Sequence, residues 1–97
     1  MNIENIIEKY KERDEELKKY NSKDINEKYE MDYNEYILGC FLNRITDENK
    51  YETYIYIIKN NKVVPGILYE ISEDFNYIYN KFSKLKEIVA KNDLNSL

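Results

Sequence analysis

The spacing of apolar and polar positions changes along this chain, and each change marks a new element. Between Asn2 and Tyr20, the residues Ile3, Ile6, Ile7, Tyr10, Leu17 and Tyr20 recur at three, four and seven, the spacing of one helix face. The run KERDEELKK between them is charged apart from Leu17, and Glu15–Lys19 is an i,i+4 pair in the favourable order. The pattern predicts an amphipathic helix over residues 2–20, with Asn2 available as its cap, packing within its own domain.

Residues 21–24, NSKD, read as a loop. Residues 24–36 carry two patterns at once. Ile25, Tyr29, Tyr33 and Tyr36 fit a helical face, whereas Tyr29, Met31 and Tyr33 alternate with Glu30, Asp32 and Asn34 as in a strand. The reading taken is a short helix or irregular lead to about residue 30, then a strand. Residues 35–45, EYILGCFLNRI, form a nearly continuous apolar run suited to a strand at the sheet centre. Gly39 inside it signals a bulge or a close backbone approach.

After a turn at 46–50 comes the stretch around which the rest is organised. Residues 51–58 are β-branched and aromatic almost throughout, Lys59-Asn60-Asn61-Lys62 is a polar turn, and residues 63–71 return as a second strand. Pro65-Gly66 interrupts that return, so it is an edge strand or is bulged there. Ser72 then caps a final helix with Glu73 and Asp74 in its first turn. Its apolar face is Phe75, Ile78, Tyr79, Phe82, Leu85, Ile88 and Val89, Lys81, Lys84, Lys86 and Lys91 face away, and Asn92 opens a polar tail. The expected fold is a single α+β domain over residues 1–97. It is a two-layer sandwich with an N-terminal helix, an antiparallel three- or four-stranded meander and a C-terminal helix, both helices on one face.

Composition narrows the function classes. At 97 residues, with 42% apolar and 35% charged residues, the chain forms one domain with a modest core. Asn, Lys, Ile and Tyr make up about half of it, the codon bias of an AT-rich bacterium or mobile element. The lone Cys40 fits a reducing compartment, no apolar run approaches the roughly 18–20 residues of a membrane span, and the polar N-terminus is no signal peptide. A cytoplasmic location without membrane contact is expected. Of the net charge of −4, the whole excess lies in residues 1–35, which hold 11 acids and 7 bases. With two arginines only, Arg13 and Arg44, direct nucleic-acid binding is disfavoured, including base stacking on exposed tyrosines.

Candidate chemistry is sparse. There is no histidine, Cys40 sits in an apolar run that disfavours a thiolate, and the two glycines are too far apart for a phosphate loop. Asp47, Glu48 and Glu52 lack the spacing of a calcium loop and read as a solvated turn. A non-enzymatic protein with no cofactor and no metal is expected.

Two features remain. Tyr54 and Tyr56 share one strand face, with Tyr69 opposite. If Ile55, Ile57, Ile67 and Ile71 meet the helices, a tyrosine-rich face is left for a partner; the competing reading is a second small core. The other feature is the acidic block Asp24, Glu27, Glu30, Asp32 and Glu35, opposed only by Lys28. Such carboxylates imitate a row of phosphates and attract a basic groove, although a solvated acidic face has the same composition.

In these respects the chain is similar in kind to anti-CRISPR proteins and other small anti-defence inhibitors, many of them short, acidic, single-domain and without catalytic motifs. The likeness is one of class and carries over no positions. It implies a phage- or mobile-element-encoded inhibitor that blocks a basic nucleic-acid-binding host defence protein, such as a CRISPR effector. The expected contact residues are Asp24, Glu27, Tyr29, Glu30, Asp32, Tyr33, Glu35, Tyr54 and Tyr56. The alternative is a regulatory module such as an antitoxin or immunity protein, pairing with itself or a partner. Ile3, Ile6, Tyr10, Leu17 and Tyr20 would then form a homodimer seam.

Overall fold

The computed structural model describes residues 3–11, 22–45 and 48–97, with side chains in the first strand described from Glu27 onward. Its elements are α1 (Ile3–Tyr10), β1 (Ser22–Tyr33), β2 (Tyr36–Ile45), β3 (Lys50–Lys59), β4 (Lys62–Ser72) and α2 (Phe75–Lys91). The four strands form one antiparallel sheet in the order β1-β2-β3-β4, so the meander has four strands. The helices lie together on one face. Ile3 and Ile6 of α1 join Ile78, Phe82, Leu85 and Val89 of α2 in the same core as Leu38, Cys40, Leu42, Ile55, Ile57 and Ile67 of the sheet. The shortest dimension of the molecule, 18 Å, matches one sheet and one helix layer at roughly 10 Å each.

The expected elements are recovered with four local differences. First, α1 ends at Tyr10 and Lys11 is a turn residue, where a helix over residues 2–20 was expected; Leu17 and Tyr20 lie outside the described residues, as do Thr46 and Asp47. Second, no helix or irregular lead precedes residue 30: β1 is strand from Ser22. The fourfold spacing of Ile25, Tyr29 and Tyr33 is shared by helix and strand, because residues four apart also lie on one strand face. Pairing with β2 decides for the strand, and from Asn26↔Asn43 to Tyr33↔Tyr36 the register is unbroken.

Third, Gly39 is not bulged: it pairs with Glu30 on one side and Tyr56 on the other. The close approach is a side chain rather than backbone. A Cβ at Gly39 would stand 2.5 Å from Cζ of Tyr56. Fourth, the N-cap of α2 is Asp74 rather than Ser72. Its Oδ1 accepts from the Tyr77 N–H at 3.3 Å, while Ser72 Oγ accepts from the Asp74 N–H at 3.0 Å. At the other end Asn92 takes a left-handed conformation (φ 51°), and the N–H of Asp93 reaches Ile88 O. The expected polar tail contains a short 3-10 turn, Leu94–Ser96, with Leu94 and Leu97 against the core.

The central hairpin turns on Asn60 and Asn61, both at positive φ (51° and 64°). Two such residues match the right-handed twist of the strands, and asparagine tolerates that conformation better than most side chains. β4 is both an edge strand and bulged. Between Ile57↔Val64 and Ile55↔Ile67, and again between Ile55↔Ile67 and Thr53↔Glu70, β4 spends one residue more than β3. Gly66 (φ 81°) and Leu68 (φ 54°) sit in these two irregularities. The second bulge pairs Ile71 with Glu52. Ile71 is thereby turned away from the helices, unlike Ile55, Ile57 and Ile67.

Candidate functional site on the helix-free sheet face

The sheet face opposite the helices is the candidate site. Strand alternation places Gly39 and Phe41 of β2 and Tyr54 and Tyr56 of β3 on this face, because Leu38, Cys40, Leu42, Ile55 and Ile57 take the other. Phe41 stands directly across from Tyr54, with ring centroids 5.6 Å apart. Tyr54 in turn stacks on Tyr69 of β4 at 6.1 Å and 28°. The result is an aromatic row across three strands, with centroid separations in the range that aromatic pairs favour.

The ring of Tyr56 packs over Gly39, and its hydroxyl donates to Oε2 of Glu30 on β1 at 2.5 Å. Burial, and then the bond to the Glu30 carboxylate, hold the Tyr56 phenol well above its ordinary range, so it acts as a donor. Between these rings and the strand edge is a shallow depression of about 280 Å³. Phe41, Tyr54 and Tyr56 form its floor, Val63 and Pro65 one wall, and Glu30 with Lys28 the other. Val63 is 57% exposed, the most exposed large apolar side chain described. Lys28 stands 3.9 Å from Glu30, a loose surface pair.

Further along this face Glu52 is buried with its carboxylate held by two neutral donors. Asn43 Nδ2 donates at 3.0 Å and Tyr69 OH at 2.8 Å. Glu48, in contrast, is exposed and 3.8 Å from Lys50, and Asp47, read with them as a turn, lies outside the described residues. Among the described residues no three acids or thiols come together as a metal site would require. Cys40 is buried in the core, and burial pushes its thiol up to about 12.

The expected contact residues separate by strand parity. Glu30, Asp32, Tyr54 and Tyr56 share the helix-free face. Glu27 pairs with Leu42 and points to the opposite face, exposed at the sheet edge. Tyr29 and Tyr33 are also on the helix side and pack against the core. Tyr33 donates its hydroxyl to Val89 O, and its neighbour Tyr36 donates to Asn92 Oδ1, so both hold the C-terminal end of α2. Glu35 is exposed in the β1–β2 turn. Asp24 belongs to β1, with its side chain outside the described residues. The acidic block therefore does not form one surface: a strand sends successive side chains to opposite faces.

Phe41, Val63 and Pro65 were not expected at the site. The run 35–45 is apolar on both faces, which hides its alternation, and the bulge at Pro65 cannot be seen without the β3 partner. A cavity of about 390 Å³ lies on the other side where α1, β4 and α2 meet, lined by Tyr10, Leu68, Leu85 and Ile88 with Lys81 and Lys84 among its borders. No helix among the described residues is long and apolar enough to cross a membrane. No protein-family model matches the chain, and neither a curated protein nor a solved structure matches it significantly.

Proposed function

We propose that this chain is a non-catalytic binding protein that docks a basic protein surface on the helix-free face of its sheet. The observation that carries this reading is the aromatic row Phe41–Tyr54–Tyr69, flanked by exposed Val63 and by the carboxylate of Glu30. Rigid aromatic area binds at low entropic cost, and ring faces beside a carboxylate suit an arginine or lysine from a partner. Asp32 on the same face and Glu35 at its end add charge of the matching sign. In its narrower form the partner is a nucleic-acid-binding defence protein, such as a CRISPR effector, whose basic groove is blocked in the manner of an anti-CRISPR inhibitor. The composition and the acidic bias support that form.

The self-pairing alternative through the first helix has less to draw on. Ile3 and Ile6 are spent in the core of their own domain, and Leu17 and Tyr20 lie outside the described residues.

The test is direct binding to a panel of purified basic nucleases and CRISPR effectors, with Val63→Glu as the probe. Val63 is exposed, so the variant keeps the fold. A partner is expected to bind at low salt, weaken as salt rises and lose about tenfold or more in affinity with Val63→Glu. A panel with no binder, or binding indifferent to Val63→Glu, overturns the reading.

A further inference from the structure

The two edges of the sheet are built differently. β4 is closed to further pairing: Pro65 has no N–H, two bulges break its line, and Gly66 and Leu68 turn to positive φ. β1 has none of these devices over Asn26–Tyr33. That stretch contains no proline or glycine, and its register against β2 is unbroken. Among the described residues no strand lies on its outer side.

Register tells which backbone groups face outward. Tyr33 and Tyr36 flank the two-residue turn Asn34-Glu35 and are Cα partners, the hydrogen-bonded pair that closes such a hairpin. Counting back in twos, Tyr33, Met31, Tyr29 and Glu27 spend their N–H and C=O groups on β2. Asn26, Lys28, Glu30 and Asp32 therefore turn theirs to the open edge.

Side-chain charge selects what can pair there. Charges on an edge strand normally repel another strand. A second copy of β1 laid antiparallel about Tyr29 instead sets Lys28 against Glu30 of the second copy, and Glu30 against its Lys28. The same register brings Asn26 opposite Asp32 and Tyr29 opposite Tyr29, and lets the outward backbone groups exchange hydrogen bonds pairwise. Of the two neighbouring registers, one puts Lys28 against Lys28, and the other puts Glu30 against Glu30 while setting Lys28 against Asp32. The register about Tyr29 is therefore the one that has opposite charges and no like charges directly across. Glu30 has the capacity for this contact. Its Oε2 is taken by Tyr56, while Oε1 has, among the described residues, the loose approach of Lys28 at 3.9 Å.

We infer that β1 is a self-recognition edge, through which two copies join into one continuous eight-stranded sheet about a twofold axis at Tyr29. Both helix layers then lie on one side and both aromatic faces on the other. Lys28 and Glu30 also border the depression on the sheet face, but sedimentation of the chain alone reads only the β1 edge, and Val63→Glu, on the opposite edge strand, is expected to leave that dimer unchanged.

The experiment is sedimentation of the full chain across a concentration series. The wild type is expected to move from 11.8 kDa towards twice that mass, with a dissociation constant of roughly micromolar or weaker for so small a contact. Lys28→Glu is expected to weaken the dimer about tenfold or more, because it turns two attractive contacts repulsive. The double variant Lys28→Glu/Glu30→Lys restores opposite charges and is expected to recover the dimer. Lys28→Pro removes an outward N–H that the monomer does not use, so it is expected to give a folded monomer by circular dichroism. A wild type that stays at 11.8 kDa up to about 1 mM overturns the inference. So does a dimer indifferent to Lys28→Glu, or one that the charge exchange fails to rescue.

Discussion

Gly39 and Tyr56 form one unit. The ring of Tyr56 occupies the space above the glycine, and that position lets its hydroxyl reach Glu30 across two strands. A methyl group at residue 39 would collide with Cζ at 2.5 Å and with the hydroxyl oxygen at 2.6 Å, so the ring must rotate out. Gly39→Ala is therefore expected to cost about 1–3 kcal/mol of stability, as overpacking of an ordered site does. The cost is expected to shrink in a Tyr56→Ala background, where there is no ring to displace. Chemical denaturation of the four proteins of this cycle checks it. Equal costs in both backgrounds would show that the glycine answers some other demand. Only part of this was legible in the sequence. A glycine in an apolar strand advertises a close approach, but the approaching group comes from a neighbouring strand and depends on register.

At the scale of elements, termini and turns carry the information that the chain can state locally. The two-residue turn at Asn60-Asn61 and the helix beginning at Phe75 are each encoded by residues within a few positions. The cap of α2 shows the resolution of such reading. Ser72, Glu73 and Asp74 all resemble N-cap or first-turn residues, and the backbone chooses Asp74, with Ser72 supporting it from outside the helix. Asp74→Ala is expected to lower stability by about 1 kcal/mol, the usual loss of a cap. Ser72→Ala is expected to cost less, because its hydroxyl serves a single N–H ahead of the first turn. Thermal denaturation of the two variants decides the assignment; a larger loss at Ser72 would return the cap to it. Longer-range outcomes were not legible. Whether residues 24–30 form helix or strand depends on whether β2 is there to pair, and the two bulges of β4 exist only relative to β3.

For the whole molecule, the core sets the response to alkaline pH. Cys40 is buried beneath α2, where burial raises its thiol from 9.0 to about 12. A group whose pKa is higher folded than unfolded binds its proton more tightly when folded. Its contribution is complete below about pH 9 and is lost as pH climbs towards 12. The slope in that window is about 1.4 kcal/mol per pH unit for one such group, and Tyr56, raised in the same direction, steepens it at the upper end. The urea midpoint is expected to fall between pH 8 and pH 10, and to fall less in Cys40→Ala. An equal fall in that variant would assign the alkaline loss to other groups.

The sequence alone left three or four strands open, and Ile55 and Ile57 facing the helices only as a condition. What it settled is the α+β class, the central hairpin with its asparagine turn and the apolar face of α2. These follow from periodicity and turn chemistry, which act over a few residues. How those faces are shared out follows from long-range pairing. The acidic block of residues 24–35 is continuous in the chain, yet strand parity divides Glu27 from Glu30 and Asp32 and commits Tyr29 and Tyr33 to the core. Phe41, Tyr54 and Tyr69 are scattered in the chain and become one row only through cross-strand register. Side-chain direction in a sheet is set by pairing partners far away in sequence, and a single bulge reverses it, as Ile71 shows.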